Sequence, residues 1–335
     1  MRDSTVYVGV DYATAFVQVC VLDPGGRVLL NRRCENDWLA LARLVRPFGA
    51  AVRAAIEACT GAADLADQLL QHAGWSIDLA HPGYVQRMKR GPDKTDFTDA
   101  RMLADLVRVG YLPRVWLAPQ SVRELRRLVR FRQDLVNRRR ALKLRISALL
   151  RDHRLKPGMR SGTRAWHGWL KAVPLPAQSR WIVDQTLADL DALDERIRLV
   201  EARLAEYTAD DVVVQRLRGI KGIGLVTACV LRAEIGDPTR FHNGKQLARF
   251  CGLSPQNASS GERQADAGLI NAGNRALRST LIEAAHRLKR CDPRWIAFAE
   301  QLRARGKPGS VIAAAVANRW VRKLYHELIT LTPAA

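Results

Sequence analysis

The sequence contains no long hydrophobic run. None approaches the roughly 18 apolar residues that a membrane-spanning helix requires. A basic segment followed by an apolar one, which is typical of a secretory signal, is also missing from its start. We therefore expect no membrane partner and a cytoplasmic protein.

Closely spaced cysteine pairs are absent as well. The chain has six cysteines, none of them at C-x-x-C spacing: Cys20, Cys34, Cys59, Cys229, Cys251 and Cys291. This scatter supports neither a zinc site nor a disulfide framework. Because a free cysteine behaves as a small hydrophobic residue, the sequence predicts six buried free thiols.

Acidic residues are outnumbered. There are 33 Asp and Glu against 54 Lys and Arg, which gives a formal net charge of +21. Such an excess favours a polyanionic partner, because neutralising phosphates releases counterions and stabilises a nucleic-acid complex. The 335 residues are enough for two domains, or for one domain with a long helical insertion. A hydrophobic content of 47% is ordinary for globular cores.

The first third of the chain alternates between strand and helix patterns. Three strands separated by turn residues predict an antiparallel meander; they span residues 6–10, 16–22 and 28–32. The following patterns predict helix 38–45, strand 51–56, helix 62–72 and strand 76–79. This order predicts an α/β domain with a mixed sheet, and by analogy the ribonuclease H-like fold.

Four acidic residues stand at the ends of these elements. Asp11 follows the first strand, Glu57 ends the strand 51–56, and Asp96 and Asp99 open a helical stretch over 97–110. Asp96 and Asp99 share a helix face because they are three residues apart. Grouped carboxylates repel one another unless a cation neutralises them, and hard oxygen ligands favour Mg²⁺ or Mn²⁺. The pattern predicts a metal site for phosphodiester chemistry, although an Asp is also common in turns and Asp96 could simply cap its helix.

The middle of the chain is strongly basic. Apolar residues over 121–156 predict a long amphipathic helix, and a second helix is predicted from about 188 to 207. The link 157–176 is either a helical hairpin turn or an ordered insertion, and the two helices are predicted to form a coiled coil. The basic face either is a solvated surface or binds nucleic acid, the latter through Arg123, Arg126, Arg127, Arg130, Arg138, Arg139, Arg140 and Lys143.

The last third opens on a glycine turn. Residues 217–224 followed by a helix over 225–235 predict a helix-hairpin-helix-like element, in which Lys221 and backbone amides would hold a DNA phosphate. A purely structural turn is the alternative. Further on, Ser259 and Ser260 would ordinarily be loop serines, and Arg263, Arg275 and Arg278 could bind phosphate.

Together these residues resemble the IS one-ten family of DEDD transposases, which also includes pilin-gene invertases. The resemblance spans nearly the whole chain and rests on Gly9-Val10-Asp11, Glu57, Lys94-Thr95-Asp96-x-x-Asp99-Ala100, the turn 219–224, Gly252-Leu253-x-Pro255, Ser260-Gly261 and Gly273-Asn274-x-x-Leu277-Arg278.

The resemblance implies three domains. These are a RuvC-like catalytic domain over 1–115, a basic coiled-coil region over 116–210, and a mainly α-helical transposase domain over 211–335. It also implies that Asp11, Glu57, Asp96 and Asp99 are the catalytic, metal-binding acids. A serine of the Ser-Gly box is the implied nucleophile; the box is doubled here, and Ser260, directly before Gly261, is favoured over Ser259.

The expected activity is site-specific DNA recombination by a homo-oligomer, a dimer or a tetramer, that uses Mg²⁺ or Mn²⁺. The resemblance further implies a structured guide RNA, for which the basic helix is the natural binding place. A metal-only nuclease such as a junction resolvase is the main alternative. A sugar-kinase or actin-like protein would need a second phosphate loop, which is missing, and a non-enzymatic nucleic-acid-binding protein would leave the four acids unexplained.

Overall fold

The computed structural model describes residues 5–88, 95–257 and 266–331. The chain forms two compact units, Met1–Ala118 and Pro119–Ala335. The segment predicted as a basic middle region thus belongs to the same compact unit as the C-terminal segment.

The first unit is built on a six-stranded mixed sheet with the order β3-β2-β1-β4-β5-β6. β1 pairs in parallel with β4, and β4 with β5, while the remaining pairs are antiparallel. This confirms the predicted meander and mixed sheet. The elements are β1 Thr5–Tyr12, β2 Phe16–Leu22, β3 Val28–Glu35, α1 Trp38–Val45, β4 Ala51–Glu57, α2 Ala62–Ala73, β5 Ser76–Ala80, α3 Pro82–Met88, α4 Asp96–Arg108 and β6 Arg114–Val115.

The two faces of this sheet carry different helices. Val6, Val8 and Val10 point to the face that packs on α1 and α2. The opposite face carries Gly9 of β1 and Ala55 of β4, because successive residues of a strand point to opposite faces of the sheet. Helix α4 covers that second face, where Ala100 packs against β2 and Leu103 packs against Ala55. Helix α4, which carries Asp96 and Asp99, is therefore held on one side of the sheet.

The second unit is mainly helical. Its elements are α5 Gln120–Asp152, α6 Arg164–Ala172, α7 Ala177–Tyr207, α8 Val212–Arg218, α9 Leu225–Ile235, a 3₁₀ turn Pro238–Arg240, α10 Gly244–Phe250, β7 Pro255–Asn257, β8 Asp266–Leu269, α11 Arg275–Cys291, α12 Pro293–Ala304 and α13 Gly309–Leu331.

The two long helices α5 and α7 pack against each other. The beginning of α5, with Leu125, shares a core with Leu204 near the end of α7. The end of α5, with Leu150, shares a second core with Val183 near the start of α7. This pairing of opposite ends makes the two helices antiparallel.

Two predicted boundaries in this region were wrong. Helix α7 begins at Ala177, directly after Pro176, which is about three helical turns earlier than the predicted start near 188. Its first turns bury Val183 and Leu187 against α6, a tertiary contact that the apolar spacing further along the helix does not reveal. Helix α5 ends at Asp152 rather than 156, and Arg154 adopts a positive φ of 54°. The link between the helices is an ordered insertion that contains α6.

The cysteines are all free, but their burial varies. Cys20, Cys229 and Cys251 are buried, Cys34 and Cys291 are half-buried, and Cys59 is exposed. The prediction of six buried thiols was therefore wrong for Cys59, which lies in the loop after β4. Burial raises the pKa of Cys251 to about 12 and the pKa of Cys20 to about 11. Among the described residues, no helix is both long enough and apolar enough to cross a membrane.

Candidate active site

Asp11 and Glu57 lie side by side at the carboxyl ends of two neighbouring strands. Val10 of β1 is the register partner of Ile56 of β4, and these strands are parallel. The next residue on each strand is an acid, so Asp11 and Glu57 project from adjacent positions on the same face. The face is the one that α4 covers. The ends of parallel strands in an α/β sheet are a common place for a reactive site.

A glycine brings α4 close to this edge of the sheet. Gly9 stands two residues before Asp11, on the same face. A Cβ atom built on Gly9 would overlap the Ala100 carbonyl oxygen and the Ala104 amide nitrogen, and would lie 3.0 Å from Leu103 Cβ. Only a residue without a side chain permits this approach. Because Asp99 immediately precedes Ala100, the same contact fixes Asp99 beside the end of β1.

We expect Gly9→Ala to push α4 off the sheet. The clash is with backbone atoms, which cannot rotate away, so an overpacking cost of about 1–3 kcal/mol is expected. Chemical denaturation would measure the loss of stability. Gly168→Ala is the matched control, because Gly168 lies inside α6 and a Cβ there meets open space. That variant should gain roughly 0.5–1 kcal/mol from the higher helix propensity of Ala. Equal effects of the two substitutions would rule out the close contact.

The first turn of α4 holds the other two acids. Thr95, not Asp96, caps the helix: its hydroxyl accepts a hydrogen bond from the Thr98 amide at 3.2 Å, and Thr98 completes a capping box. Asp96 instead forms an ion pair with Arg33 of β3, with 3.2 Å between Nη2 and Oδ2. Asp99 is only 6% exposed. Neither acid is therefore required as the cap of α4.

All four acids line one cavity of about 810 Å³. Tyr12, Gln18, Arg33 and Gln86 contribute to the same wall. Burial raises the pKa of the nearby Cys59 thiol, and the negative charges of Glu57 and Asp11 raise it further. The thiol thus lies within the electrostatic field of both carboxylates.

The donor chemistry of this cavity suits a hard divalent cation, since its acidic side chains offer only oxygen ligands. In the conformation that the structure describes, however, no three His, Cys, Asp or Glu side chains of residues 5–88, 95–257 and 266–331 stand close enough together to hold a metal ion. The acids surround the cavity rather than meeting at one point. The ion pair with Arg33 turns Asp96 toward β3.

Three polar residues at this end of the sheet were not predicted: Gln18 and Arg33, which line the cavity, and Asn31, which is hydrogen-bonded to Gln18. Gln18 is the register partner of Asp11, is nearly buried, and donates to Asn31 Oδ1 at 2.7 Å. Asn31 in turn donates to the Phe97 carbonyl of α4 at 3.0 Å. A polar residue in the apolar strand β2 is a detectable signal, as is the alternation of Asn31 and Arg33 along β3. These side chains tie the start of α4 to the edge of the sheet.

The predicted nucleic-acid-binding residues of α5 fall into three groups. Several are engaged within the protein: Arg126 donates to the Ala233 carbonyl at 2.7 Å, Arg130 pairs with Glu234 at 3.0 Å, and Arg139 pairs with Asp194 at 2.6 Å. Arg123 and Lys143 are half-buried, and burial lowers the pKa of Lys143. Arg127, Arg138 and Arg140 are exposed, and the first two pair with Glu124 and Asp134 of the same helix. The exposed group forms the accessible basic surface of the helix.

Glu234 is a further residue that the sequence did not flag. It is 4% exposed and accepts hydrogen bonds from Arg130 Nε at 3.0 Å, Arg130 Nη2 at 3.2 Å and Asn274 Nδ2 at 2.8 Å. Asn274 also caps α11. This carboxylate therefore joins α5, α9 and the start of α11. Part of the Gly273-Asn274 motif thus has a structural role.

Replacing Arg130 with Ala is expected to cost about 1–3 kcal/mol, because it removes two of the hydrogen bonds that the buried carboxylate of Glu234 accepts. The matched control is Arg138→Ala on the same helix. The side chains of Arg130 and Arg138 are 64% and 62% exposed, whereas those of their partners Glu234 and Asp134 are 4% and 48% exposed. The control should change stability by less than about 0.5 kcal/mol. Urea denaturation of both variants would measure the difference, and equal losses would contradict a special role for Glu234.

The glycine turn lies between α8 and α9 as predicted. Gly222 adopts a φ of 90°, and Arg287 of α11 donates to its carbonyl oxygen at 2.9 Å. Lys221 is exposed beside it, and Arg275 is exposed at the start of α11. Arg278, by contrast, donates to the carbonyl groups of Ile270 at 2.6 Å and Ala272 at 2.8 Å. The predicted Ser259, Ser260 and Arg263 lie outside the described residues, as does Lys94.

Comparison with known proteins adds an independent line of evidence. A family profile for DEDD transposases of the IS110 type, described as "Transposase", matches residues 8–154. A second profile, described as "Transposase IS116/IS110/IS902 family", matches residues 214–300. The first range contains Asp11, Glu57, Asp96 and Asp99, and the second contains the serine pair.

Individual relatives agree with these profiles. The chain is 30% identical over 277 residues to the protein y4qE of Sinorhizobium fredii, named as a transposase, covering 75% of this chain and 69% of that protein. It is 29% identical over 335 residues to a Pseudomonas aeruginosa protein named as a family 20 transposase, covering 95% of each. The transposase for insertion sequence element IS1111A of Coxiella burnetii is 28% identical, with 87% of this chain and 79% of that protein covered. With an acid-lined cavity inside the first matched range, this chain belongs to the IS116/IS110/IS902 family of transposases, enzymes that act on DNA.

Proposed function

We propose that this transposase is a site-specific DNA recombinase of an insertion sequence that cleaves and exchanges strands through a phosphoserine-DNA intermediate. The observation that carries the proposal is the single cavity lined by Asp11, Glu57, Asp96 and Asp99. Two of these acids lie at the carboxyl ends of adjacent parallel strands, and two lie in the first turn of a helix that packs on the same face. A wholly structural explanation would have to account for four carboxylates around one cavity in a chain of net charge +21.

The four acids would hold Mg²⁺ or Mn²⁺. When bound, such an ion would neutralise charge on the scissile phosphate and help to activate the attacking and leaving oxygens. The acids themselves give the cavity its negative charge and exclude a phosphate until cations are present. Arg33 sets the starting position of Asp96, because their ion pair holds the carboxylate beside β3. The coiled-coil pairing of α5 and α7 is part of the same proposal, as is the RuvC-like identity of the first unit.

Ser260 would be the nucleophile. Its hydroxyl oxygen forms a bond to the scissile phosphorus while the bond from phosphorus to the DNA 3′ oxygen breaks. The serine proton is transferred to a base, and the departing oxygen takes up a proton to become a free 3′-hydroxyl. A 3′-hydroxyl of the partner strand then attacks the phosphoserine. Its oxygen bonds to phosphorus, the bond from phosphorus to the serine oxygen breaks, and its proton passes through the base to the serine oxygen. One phosphodiester is replaced by another, so no nucleotide cofactor is consumed.

Nucleic-acid binding would use the exposed cations. Arg127, Arg138 and Arg140 of α5 are accessible to the phosphates of a structured guide RNA. The turn between α8 and α9, with the exposed Lys221, suits a helix-hairpin-helix element that holds a DNA backbone. A homo-oligomer, either a dimer or a tetramer, would bring two DNA ends together. Arg126, Arg130, Arg139 and Arg278 bind other elements of the protein and would contribute less. Arg127 and Arg138 pair with Glu124 and Asp134 of their own helix, whose side chains are partly exposed, so a phosphate can replace these partners.

A test of the proposal uses the purified protein with Mg²⁺, DNA that spans the element's ends and RNA transcribed from those ends. A protein-DNA adduct that survives denaturation is the expected product. Cleavage with no adduct would contradict the recombinase proposal. It would support a metal-only nuclease, in which water attacks the phosphate and the serines are structural. Omitting the RNA tests its part separately, since adduct formation should then fall.

A further inference from the structure

A second cavity, far along the chain from the acids, is lined almost entirely by basic and neutral side chains. It measures about 980 Å³ and lies between α10, α12 and α13. We call it the basic groove; its cations are Lys245, Arg294, Arg319, Arg322, Lys323 and His326 when protonated. None of the described residues that line it is acidic.

The groove is built from two helix faces. On α13 the residues Arg319, Arg322, Lys323 and His326 have the spacing i, i+3, i+4, i+7, which places them on one face. On α12 the residues Arg294, Ala297, Phe298 and Gln301 repeat the same spacing. All eight line the groove, so one face of each helix forms one of its walls.

The base of the groove is rigidly packed. A Cβ atom on Gly244, the first residue of α10, would lie 2.7 Å from the Arg322 carbonyl oxygen and 3.0 Å from its Cα. The start of α10 therefore touches the backbone of α13 directly. This contact fixes Lys245 of α10 near Arg322, and behind it Trp320 and Val321 are buried in the core.

Four cations of the groove, Lys245, Arg294, Arg319 and Arg322, are not neutralised by a carboxylate of the described residues. Arg319 Cζ lies 4.1 Å from the centre of the Phe298 ring, and Arg294 Cζ lies 5.3 Å from the centre of the Trp295 ring. Such contacts orient a guanidinium while leaving its charge available. Within the described part of the chain, Lys323 forms an ion pair with Glu327 at 3.4 Å, and no carboxylate is within ion-pair distance of Lys245, Arg294, Arg319 or Arg322.

We propose that the basic groove binds the phosphate backbone of duplex DNA, independently of sequence. Several cations around one cavity repel one another, and a phosphate backbone relieves that repulsion. Arginine suits this ligand because its planar group donates two hydrogen bonds to one phosphate. The aromatic rings of the groove are buried or covered by a guanidinium, so they offer no platform for the unpaired bases of a single strand.

The basic groove adds a contact surface outside the residues that carry the proposed chemistry. Helix α13 lies beyond both matched family ranges, which end at residues 154 and 300. The inference rests on the chain's membership of a DNA-acting family and does not depend on the proposed serine intermediate. A Ser260→Ala protein should therefore bind duplex DNA as the wild type does, even if the recombinase proposal fails.

The test compares the full-length protein with Arg319→Gln/Arg322→Gln. Binding of a fluorescein-labelled DNA duplex of arbitrary sequence would be followed by anisotropy over a range of salt concentrations. Two lost phosphate contacts should lower the slope of log K against log salt by about 1.8 and weaken binding roughly fiftyfold at about 0.1 M salt. Arg319→Lys/Arg322→Lys keeps both charges and should retain most of the slope.

The control is Arg43→Gln/Arg46→Gln, which removes two exposed charges from the end of α1, on the side of the sheet opposite α4. Thermal melting would verify that each variant is folded. If the groove and control variants weaken DNA binding equally, the charge acts only as part of the overall field and the proposal is wrong. It is also wrong if the groove variant loses affinity for an RNA duplex of the same sequence but keeps its affinity for DNA.

Discussion

Replacing Asp11 with Asn is expected to lower the rates of strand cleavage and adduct formation by on the order of a thousandfold or more. The two side chains have nearly the same shape, so the substitution removes a charge and an anionic ligand with little change in packing. Asp11 lies beside Glu57 at the end of β1 and lines the acid cavity. Gel assays of cleavage with Mg²⁺ and with Mn²⁺ would measure the loss.

Activity alone would not show that a metal site is involved. Titration of the protein with Mn²⁺, followed by calorimetry or electron paramagnetic resonance, should show weaker binding in Asp11→Asn, and Glu57→Gln should behave alike. Asp105→Asn is the control, because Asp105 lies on the same helix as Asp99, pairs with Arg108 and does not line the cavity. Unchanged Mn²⁺ affinity together with lost cleavage would assign the acids a role other than metal binding.

Replacing Ser260 with Ala is expected to eliminate the denaturation-resistant DNA adduct completely. Alanine lacks the hydroxyl oxygen that would bond to phosphorus, and no rotamer can restore it. Ser259→Ala is the matched control, one residue away in the same box. It should retain most of the adduct, as judged by labelled DNA on a denaturing gel.

Two other outcomes of the serine substitutions would change the proposed mechanism. Loss of the adduct only in Ser259→Ala would move the nucleophile by one residue and leave the recombinase mechanism in place. Retention of the adduct in both single variants and in the double variant would remove serine from the mechanism. DNA binding, measured by anisotropy, should be the same in all of these proteins.

Much of the first unit could be predicted from local sequence patterns. The strand meander, the helices that follow and the mixed sheet are encoded in the alternation of apolar residues over short windows. The positions of Asp11 and Glu57 at strand ends could be predicted in the same way, and their neighbouring places follow from the parallel register of β1 and β4. The start of α4 at Asp96 is encoded by the Thr95 capping box.

The contacts that complete the site were not predictable in this way. Arg33 meets Asp96 across 63 residues, and Arg130 meets Glu234 across 104. No local window contains both partners of such pairs. The predicted basic face of α5 shows the consequence, since three of its predicted nucleic-acid-binding arginines, Arg126, Arg130 and Arg139, have partners on other helices.

The sequence by itself determined the succession of the first strands and helices along the chain, the positions of the acids, the positive charge and the likeness to a transposase family. These depend on residue spacing and composition, which act locally or additively. Only the tertiary structure decided that Gly9 brings α4 against the sheet, that Arg33 engages Asp96, and that α12 and α13 together form the basic groove. Such features arise when distant segments pack together, and close packing selects partners by shape and charge in three dimensions rather than by their spacing along the chain.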